Sequence, residues 1–278
     1  MNRIVRALVH NGLLWGLALV VLTPLAWTVK ASFLPAGSAM TIAAPADEAP
    51  RDAVGFTLDN YRQLFSRLNL GRYFANSVLV STAITAISLA LNSMAGYAFA
   101  KLRFRGRDGL FKCLLAALVV PLQAAMLPLF LMLKQLGVIN TYWAVIIPSM
   151  ATIYGIFLVR QYALSIPDSL LDAARVDGAG EGRIFWTVVL PLLKPVLATL
   201  GVFTFLAAWN DFMWPLVVLT GNDAQTLPVA LAILSGEHVQ DVELMMAGSV
   251  VTVLPALFLF AILQRQLIGG IMMGSVKG

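Results

Sequence analysis

An all-α membrane protein with six spanning helices is the fold class that this sequence predicts. Three observations predict it. The 278 residues are 59% hydrophobic and only 12% charged, with a mean hydropathy of +0.83; a soluble domain of this length is about a quarter charged. Six apolar runs reach the roughly 20 residues that a bilayer-crossing helix needs. Lysine and arginine gather in alternate gaps between those runs, the pattern that sets orientation.

The first run extends from near Leu13 to Phe33. It is too long for a cleaved leader, and no small-residue cleavage site follows promptly, so it reads as a retained anchor. The Ala/Pro-rich stretch from Pro35 to Pro50 reads as irregular loop. Phe56 to Phe65, FTLDNYRQLF, has apolar residues at helical spacing and reads as a short interfacial helix. The second run lies near Phe74 to Ala100, the third near Leu110 to Leu133, and the fourth at roughly Tyr142 to Tyr162. The fifth lies near Val196 to Leu219 and the sixth near Met246 to Leu267. Prolines at Pro24, Pro121, Pro128, Pro148 and Pro255 are expected to kink these helices. The domain reading is an N-terminal segment at 1–12, a six-span domain at 13–268, and a C-terminal tail at 269–278. Within the domain, an outer loop occupies about 34–73 and an inner loop about 163–194.

Basic residues orient the chain. Arg3 and Arg6 precede the first run, and Lys101, Arg103, Arg105 and Arg107 crowd the gap after the second. Arg175, Arg183 and Lys194 follow the fourth, and Arg265 and Lys277 come at the end of the sixth and beyond. If six spans alternate, all of these fall on one side. The opposite gaps carry Lys134 and, between the fifth and sixth runs, neither Lys nor Arg. The loop after the first run opposes the pattern with Arg51, Arg62, Arg67 and Arg72, but it also holds Asp47, Glu48, Asp52 and Asp59. It is long enough to obey the rule weakly. Both termini therefore read as cytoplasmic. The same clustering beside apolar runs accounts for the net charge of +5 without a nucleic-acid partner.

Several chemistries lack their residues. Cys113 is the only cysteine, so no intramolecular disulfide forms, and it reads as a small buried hydrophobe. His10 and His238 have no metal-ligand spacing. There is no G-x-x-x-x-G-K-[ST] loop to cradle phosphates, no nucleophile elbow and no pair of catalytic carboxylates. The chain is expected to be no enzyme and to carry no cofactor or metal of its own.

One polar stretch interrupts the apolar pattern. Between the fourth and fifth runs, Asp172 to Pro191 reads DAARVDGAGEGRIFWTVVLP. Pro167 and Asp168 suit a helix start. Leu170, Leu171, Ala174 and Val176 give that helix an apolar side, and Gly178 and Gly180 interrupt it. A second short amphipathic piece follows with Ile184, Phe185 and Val188. An amphipathic helix–break–helix between two spans lies on the membrane surface or docks in a partner's groove.

This stretch resembles the coupling loop of ABC importer permeases, whose pattern is E-A-A, three residues, Gly, nine residues, then I-x-L-P. Asp172-Ala173-Ala174, Gly178 and Val188-x-Leu190-Pro191 fall at that spacing, with Asp172 for Glu and Val188 for Ile. Trp209-Asn210-Asp211-Phe212-Met213-Trp214-Pro215-Leu216 is similar to the W-N-[DE]-F-x-x-P-L of sugar-importer permeases. Gly96 to Lys101 (GYAFAK) with Phe104-x-Gly106, and the ending Gln264-Arg265 through Gly269-Gly270 to Gly278, also fit. The likeness covers nearly the whole chain and points to carbohydrate ABC importer permeases of the MalG type.

The resemblance implies a permease subunit of an ATP-driven, binding-protein-dependent importer in a bacterial inner membrane. It would form half of a translocation path for a sugar or oligosaccharide and work by alternating access. A related polyol or glycerol-phosphate-like substrate is the alternative. An ATPase-independent secondary transporter is the reading from another class, but it needs midplane acids or inverted repeats. The implied partners are a homologous MalF-type permease, two ABC ATPases that bind ATP and Mg, an extracytoplasmic sugar-binding protein and lipid. The implied ATPase-coupling residues are Asp172, Ala173, Ala174, Asp177, Gly178, Ala179, Leu190 and Pro191. A small, flexible tail of Gly274, Ser275, Val276, Lys277 and Gly278 would reach between the ATPases.

Substrate-path candidates are the polar and aromatic residues of the later runs. Asp211 is the one acid within an apolar run, where charge is costly and usually functional. Trp209 and Asn210 have the chemistry to stack on and hydrogen-bond a sugar. Asp211 equally suits a helix cap beside Pro215, and Trp209 and Trp214 suit an interface belt. Tyr154, Gln123 and Asn92 are further polar candidates that also suit helix–helix hydrogen bonds.

Overall fold

Helices build most of the described chain. The computed structural model describes residues 3–38, 55–237 and 241–275, and no strand occurs among them. The chain forms two compact units, Met1–Arg72 with Ala230–Pro255, and Tyr73–Val229 with Ala256–Gly278. Five helices are long and apolar enough to cross a membrane, and a sixth span arises if one bent pair counts as a single crossing.

In the first unit, α1 (Arg3–Ser32) carries exposed Leu13, Trp15, Leu17 and Val20, the surface of a lipid-facing helix. The short helix α2 (Asp59–Ser66) forms where the sequence predicts it. Its buried Asn60 donates from Nδ2 to the carbonyls of Ser32 (3.0 Å) and Leu34 (2.8 Å). These are orphan acceptors where α1 ends, which an apolar side chain would leave unpaired. Also in this unit, Gly248 faces Leu231 so closely that an added Cβ would lie 2.5 Å from Leu231 Cδ2. Glu243, in the first turn of α13 (Val242–Ser275), is fully buried.

The second unit holds most of the transmembrane core. Helix α3 (Leu70–Lys101) has 32 residues, about 48 Å at 1.5 Å per residue, and outruns the roughly 30 Å hydrocarbon layer. The third run is not one straight helix. It divides into α4 (Arg107–Ala116), continued by a 3-10 turn to Val119, and α5 (Leu122–Gln135). The two limbs meet at 109°. Val120 is extended (φ −78°, ψ 115°), because the ring of Pro121 disfavours the helical region for the residue before it. Cys113 is exposed on α4 rather than buried.

The fourth run is also broken, into α6 (Tyr142–Ser149) and α7 (Ile153–Leu164). The polar loop contains α8 (Asp168–Val176). The expected second amphipathic piece is not a separate helix. It is the start of a continuous span, Glu181–Trp209, composed of α9 (Glu181–Ile184), a π turn at Phe185–Val189 and α10 (Leu190–Trp209). This span therefore begins well before Val196 and stops before Leu219. Asn210–Phe212 separate it from α11 (Met213–Val218), and α12 (Leu227–Glu237) follows. The sixth span starts at Val242 and its helix continues to Ser275. Gly274 and Ser275 thus belong to this helix, and Val276, Lys277 and Gly278 lie outside the described residues.

Candidate functional site

The polar turn after α7 is built from its backbone outward. Pro167 is extended (φ −60°, ψ 133°) and starts α8 at Asp168. The helix stops because Gly178 takes φ +81°, a left-handed conformation that glycine adopts at little cost. Gly178 N–H then donates to Arg175 O (3.0 Å) and Ala179 N–H to Ala174 O (2.9 Å). This pair of bonds satisfies the last carbonyls of the helix. Asp177 is the C-cap, its N–H on Ala173 O at 3.0 Å. So Ala173, Ala174, Asp177, Gly178 and Ala179 shape one turn, with Ala174 and Ala179 packed on an apolar cluster of Tyr97, Leu171, Ile184 and Phe185. Leu190 packs on the same cluster, and Pro191 stands exposed in the first turn of α10. On the outer side of α8, Leu170 is 47% and Val176 88% exposed.

Charged groups clasp this turn. Lys101 Nζ donates to Asp168 Oδ1 and to Ile166 O, each at 2.6 Å. The hydrogen bond from Lys101, then its charge, holds the Asp168 carboxyl below the ordinary aspartate range. Arg175 forks: Nε donates to Glu181 Oε1 (2.9 Å) and Nη1 to Asp172 Oδ1 (2.8 Å). Those two bonds, to Glu181 first, raise the guanidinium further above its ordinary value. Tyr97 Oη donates to the other Glu181 oxygen at 2.7 Å. Asp172 is therefore paired within the chain.

A second feature is a cleft of about 550 Å³ in the same unit, lined by Ser149, Thr152, Tyr154, Thr204 and Asp211 among apolar residues. It opens at the break between α6 and α7. Buried Asn92 rebuilds the missing backbone bonds there: Oδ1 accepts from Thr152 N–H (3.0 Å), and Nδ2 donates to Ser88 Oγ (2.8 Å) and Thr152 Oγ1 (3.2 Å). Thr152 Oγ1 in turn accepts from Gly155 N–H at 3.1 Å, capping α7. Satisfying the break this way lets a membrane helix be interrupted at depth.

The structure divides the expected path residues. Tyr154, 53% exposed, and Asp211 both line the cleft. Asp211 also caps α11 through Trp214 N–H (3.4 Å). Trp209 is 1% exposed, packed against Phe74 (5.6 Å, edge-on) and Phe205 (5.9 Å, stacked), and is not among the cleft residues. Trp214 is buried too, donating from Nε1 to Ala144 O at 2.9 Å, so neither is an interface-belt residue. Asn210 is exposed and its Nδ2 donates to Leu206 O (2.8 Å). Gln123 is exposed near the start of α5 and is not among the cleft residues. Glu181, Tyr97 and Lys101 were not foreseen as a group. The available signal was the four-residue spacing of Tyr97 and Lys101, which puts both on one face of α3.

Residues 92–271 match the family described as binding-protein-dependent transport system inner membrane component. The chain belongs to this family. It is 40% identical over 263 residues to the arabinooligosaccharides transport system permease protein AraQ of Halalkalibacterium halodurans, covering 94% of this chain and 93% of that one. It is 36% identical over 219 residues to the lactose transport system permease protein LacG of Rhizobium radiobacter, covering 79% and 80%. Its fold is similar to a chain of a bacterial ABC transporter that imports the acidic polysaccharide alginate, with a TM-score of 0.80, 26% identity, and coverage of 95% and 98%. The permease is thus a multi-pass membrane component of a binding-protein-dependent importer.

Proposed function

We propose that this permease carries a sugar or oligosaccharide inward by alternating access, driven by ATP hydrolysed on two partner ATPases. ATP and Mg belong to those partners, and the permease itself is non-catalytic. A homologous MalF-type permease would complete the path, and an extracytoplasmic binding protein would deliver substrate. The observation that carries the reading is α8 with its Gly178 turn. It is a nine-residue amphipathic helix between two spans, with Val176 offered almost bare to a partner. Asp172, Ala173, Ala174, Asp177, Gly178, Ala179, Leu190 and Pro191 form the element an ATPase would move. Tyr154 and Asp211 are the best-placed groups for sugar hydroxyls. The names of the relatives support a carbohydrate substrate. The test is reconstitution with the neighbouring permease, ATPase and binding protein, screening sugars for stimulated ATP hydrolysis and uptake. A complex that recruits no ATPase sinks the proposal.

Both termini are proposed to be cytoplasmic, from the basic residues at Arg103, Arg105, Arg107 and Arg183. In a Cys113→Ser background, a cysteine at exposed Asn222 should react with an impermeant thiol reagent in intact cells, and cysteines at exposed Arg105 and Gly180 should not. Labelling at Arg105→Cys from outside overturns the orientation.

A further inference from the structure

The peptide chain joins the coupling turn only to α7 before it and α9 after it, yet its polar contacts go to a third helix. Lys101 holds the N-terminal end of α8 through Asp168 Oδ1 and Ile166 O. Tyr97 holds the C-terminal end through Glu181, whose other oxygen takes Arg175 of α8. Tyr97 and Lys101 lie four residues apart on the last turns of α3, on one face. A helix hinged at Pro167 and Gly178 pivots about any single contact. Two contacts at its opposite ends, landing on one receiver, remove that pivot. We infer that α3 receives the motion of the coupling turn through Tyr97 and Lys101, with Glu181 as the joint between Tyr97 and Arg175 of α8. This inference rests on the coupling role proposed above.

The packing supports a stiff joint. Tyr97 is 3% exposed and its ring lies 5.7 Å from that of Phe185. Lys101 has only 7% of its side chain exposed, although its partner Asp168 has 74%. At the neighbouring position, a Cβ on Gly96 would lie 2.6 Å from Val159 Cγ1. The end of α3 is therefore pressed on α7, and displacement of one carries the other. Glu181 is also the first residue of the Glu181–Trp209 span, so α8, α3 and that span meet at one carboxylate.

The test uses the assembled complex in proteoliposomes, with binding protein and the sugar that stimulates it, and reads uptake per ATP hydrolysed. Tyr97→Phe removes one oxygen and keeps the ring, and Lys101→Met keeps the stem. Each should leave assembly and melting temperature near wild type, keep stimulated hydrolysis, and lower the uptake ratio severalfold. The double variant should lose on the order of tenfold or more. Lys101→Arg should restore coupling. Tyr97→Phe added to Glu181→Ala should cost nothing further, since the hydroxyl would already have lost its partner. An unchanged uptake ratio in Tyr97→Phe/Lys101→Met overturns the inference. If the wild-type chain does not stimulate ATP hydrolysis at all, the coupling role itself is wrong. If the double variant does not fold, Tyr97→Phe alone decides.

Discussion

Replacing Gly178 by proline is expected to cut uptake to about a hundredth while the subunit still inserts in the membrane. Gly178 sits at φ +81° and its N–H closes the α8 turn on Arg175 O. Proline fixes φ near −65° and has no N–H, so both features go at once. The chain after Val176 must then leave along another path, and Arg175 no longer meets Glu181. A Cβ at Gly178 would meet nothing within 4 Å, so the effect comes from the backbone of the turn and not from a side-chain clash. Uptake should fall to about a hundredth, the upper range for a lost coupling free energy. Gly178→Ala should be milder, because a left-handed alanine costs about 1–2 kcal/mol and keeps the N–H. The measurement is sugar uptake normalised to subunit in the membrane. Near-normal transport by Gly178→Pro contradicts the role given to this turn.

Gly155→Ala is the second large effect, and it acts on folding rather than coupling. A Cβ there would fall on Asn92 Nδ2 and lie 2.6 Å from Thr152 Oγ1. To admit it, Asn92 must release the broken end of α7. Each buried polar group so orphaned costs about 1–3 kcal/mol, and overpacking adds about as much again. A loss on the order of 3 kcal/mol or more follows, read as a lower melting temperature and lower yield of the detergent-solubilised subunit. Gly109→Ala is the control, being helical on α4 with nothing within 4 Å. Equal melting temperatures for the two variants mean that Asn92 does not hold the break.

The spans were legible because a bilayer imposes length and apolarity on any helix that crosses it. The Gly178 turn was legible because its geometry needs glycine at one place. A kink at Pro121 was legible, because its ring disfavours the helical region for Val120, but the 109° size of the bend was not. An apolar run of that length looks the same straight or bent, and its limbs are set by packing. The start of the fifth span was misplaced because Glu181 and Arg183 read as loop, whereas Glu181 is partnered by Tyr97 and Arg175. Trp209 had the chemistry to stack on a sugar, but Phe205 stacks on it and Phe74 meets it edge-on. Phe74 lies far away in the sequence, on another helix. Cys113 was misjudged for the same reason: hydropathy gives burial in lipid or protein alike and does not say which.

The forked arrangement of Arg175 has a consequence for ionic strength. Asp172 and Glu181 share that one guanidinium, and Asp168 is held by Lys101, so most carboxylates of α8 and its turn are already matched inside the chain. What stands most exposed on α8 is apolar, Val176 above all and Leu170 in part. Attraction between bare charges fades as salt screens it, while burial of apolar surface is strengthened by salts such as sulfate. If a partner docks on this turn as proposed, its grip is expected to resist a salt wash that would strip an ion-paired contact.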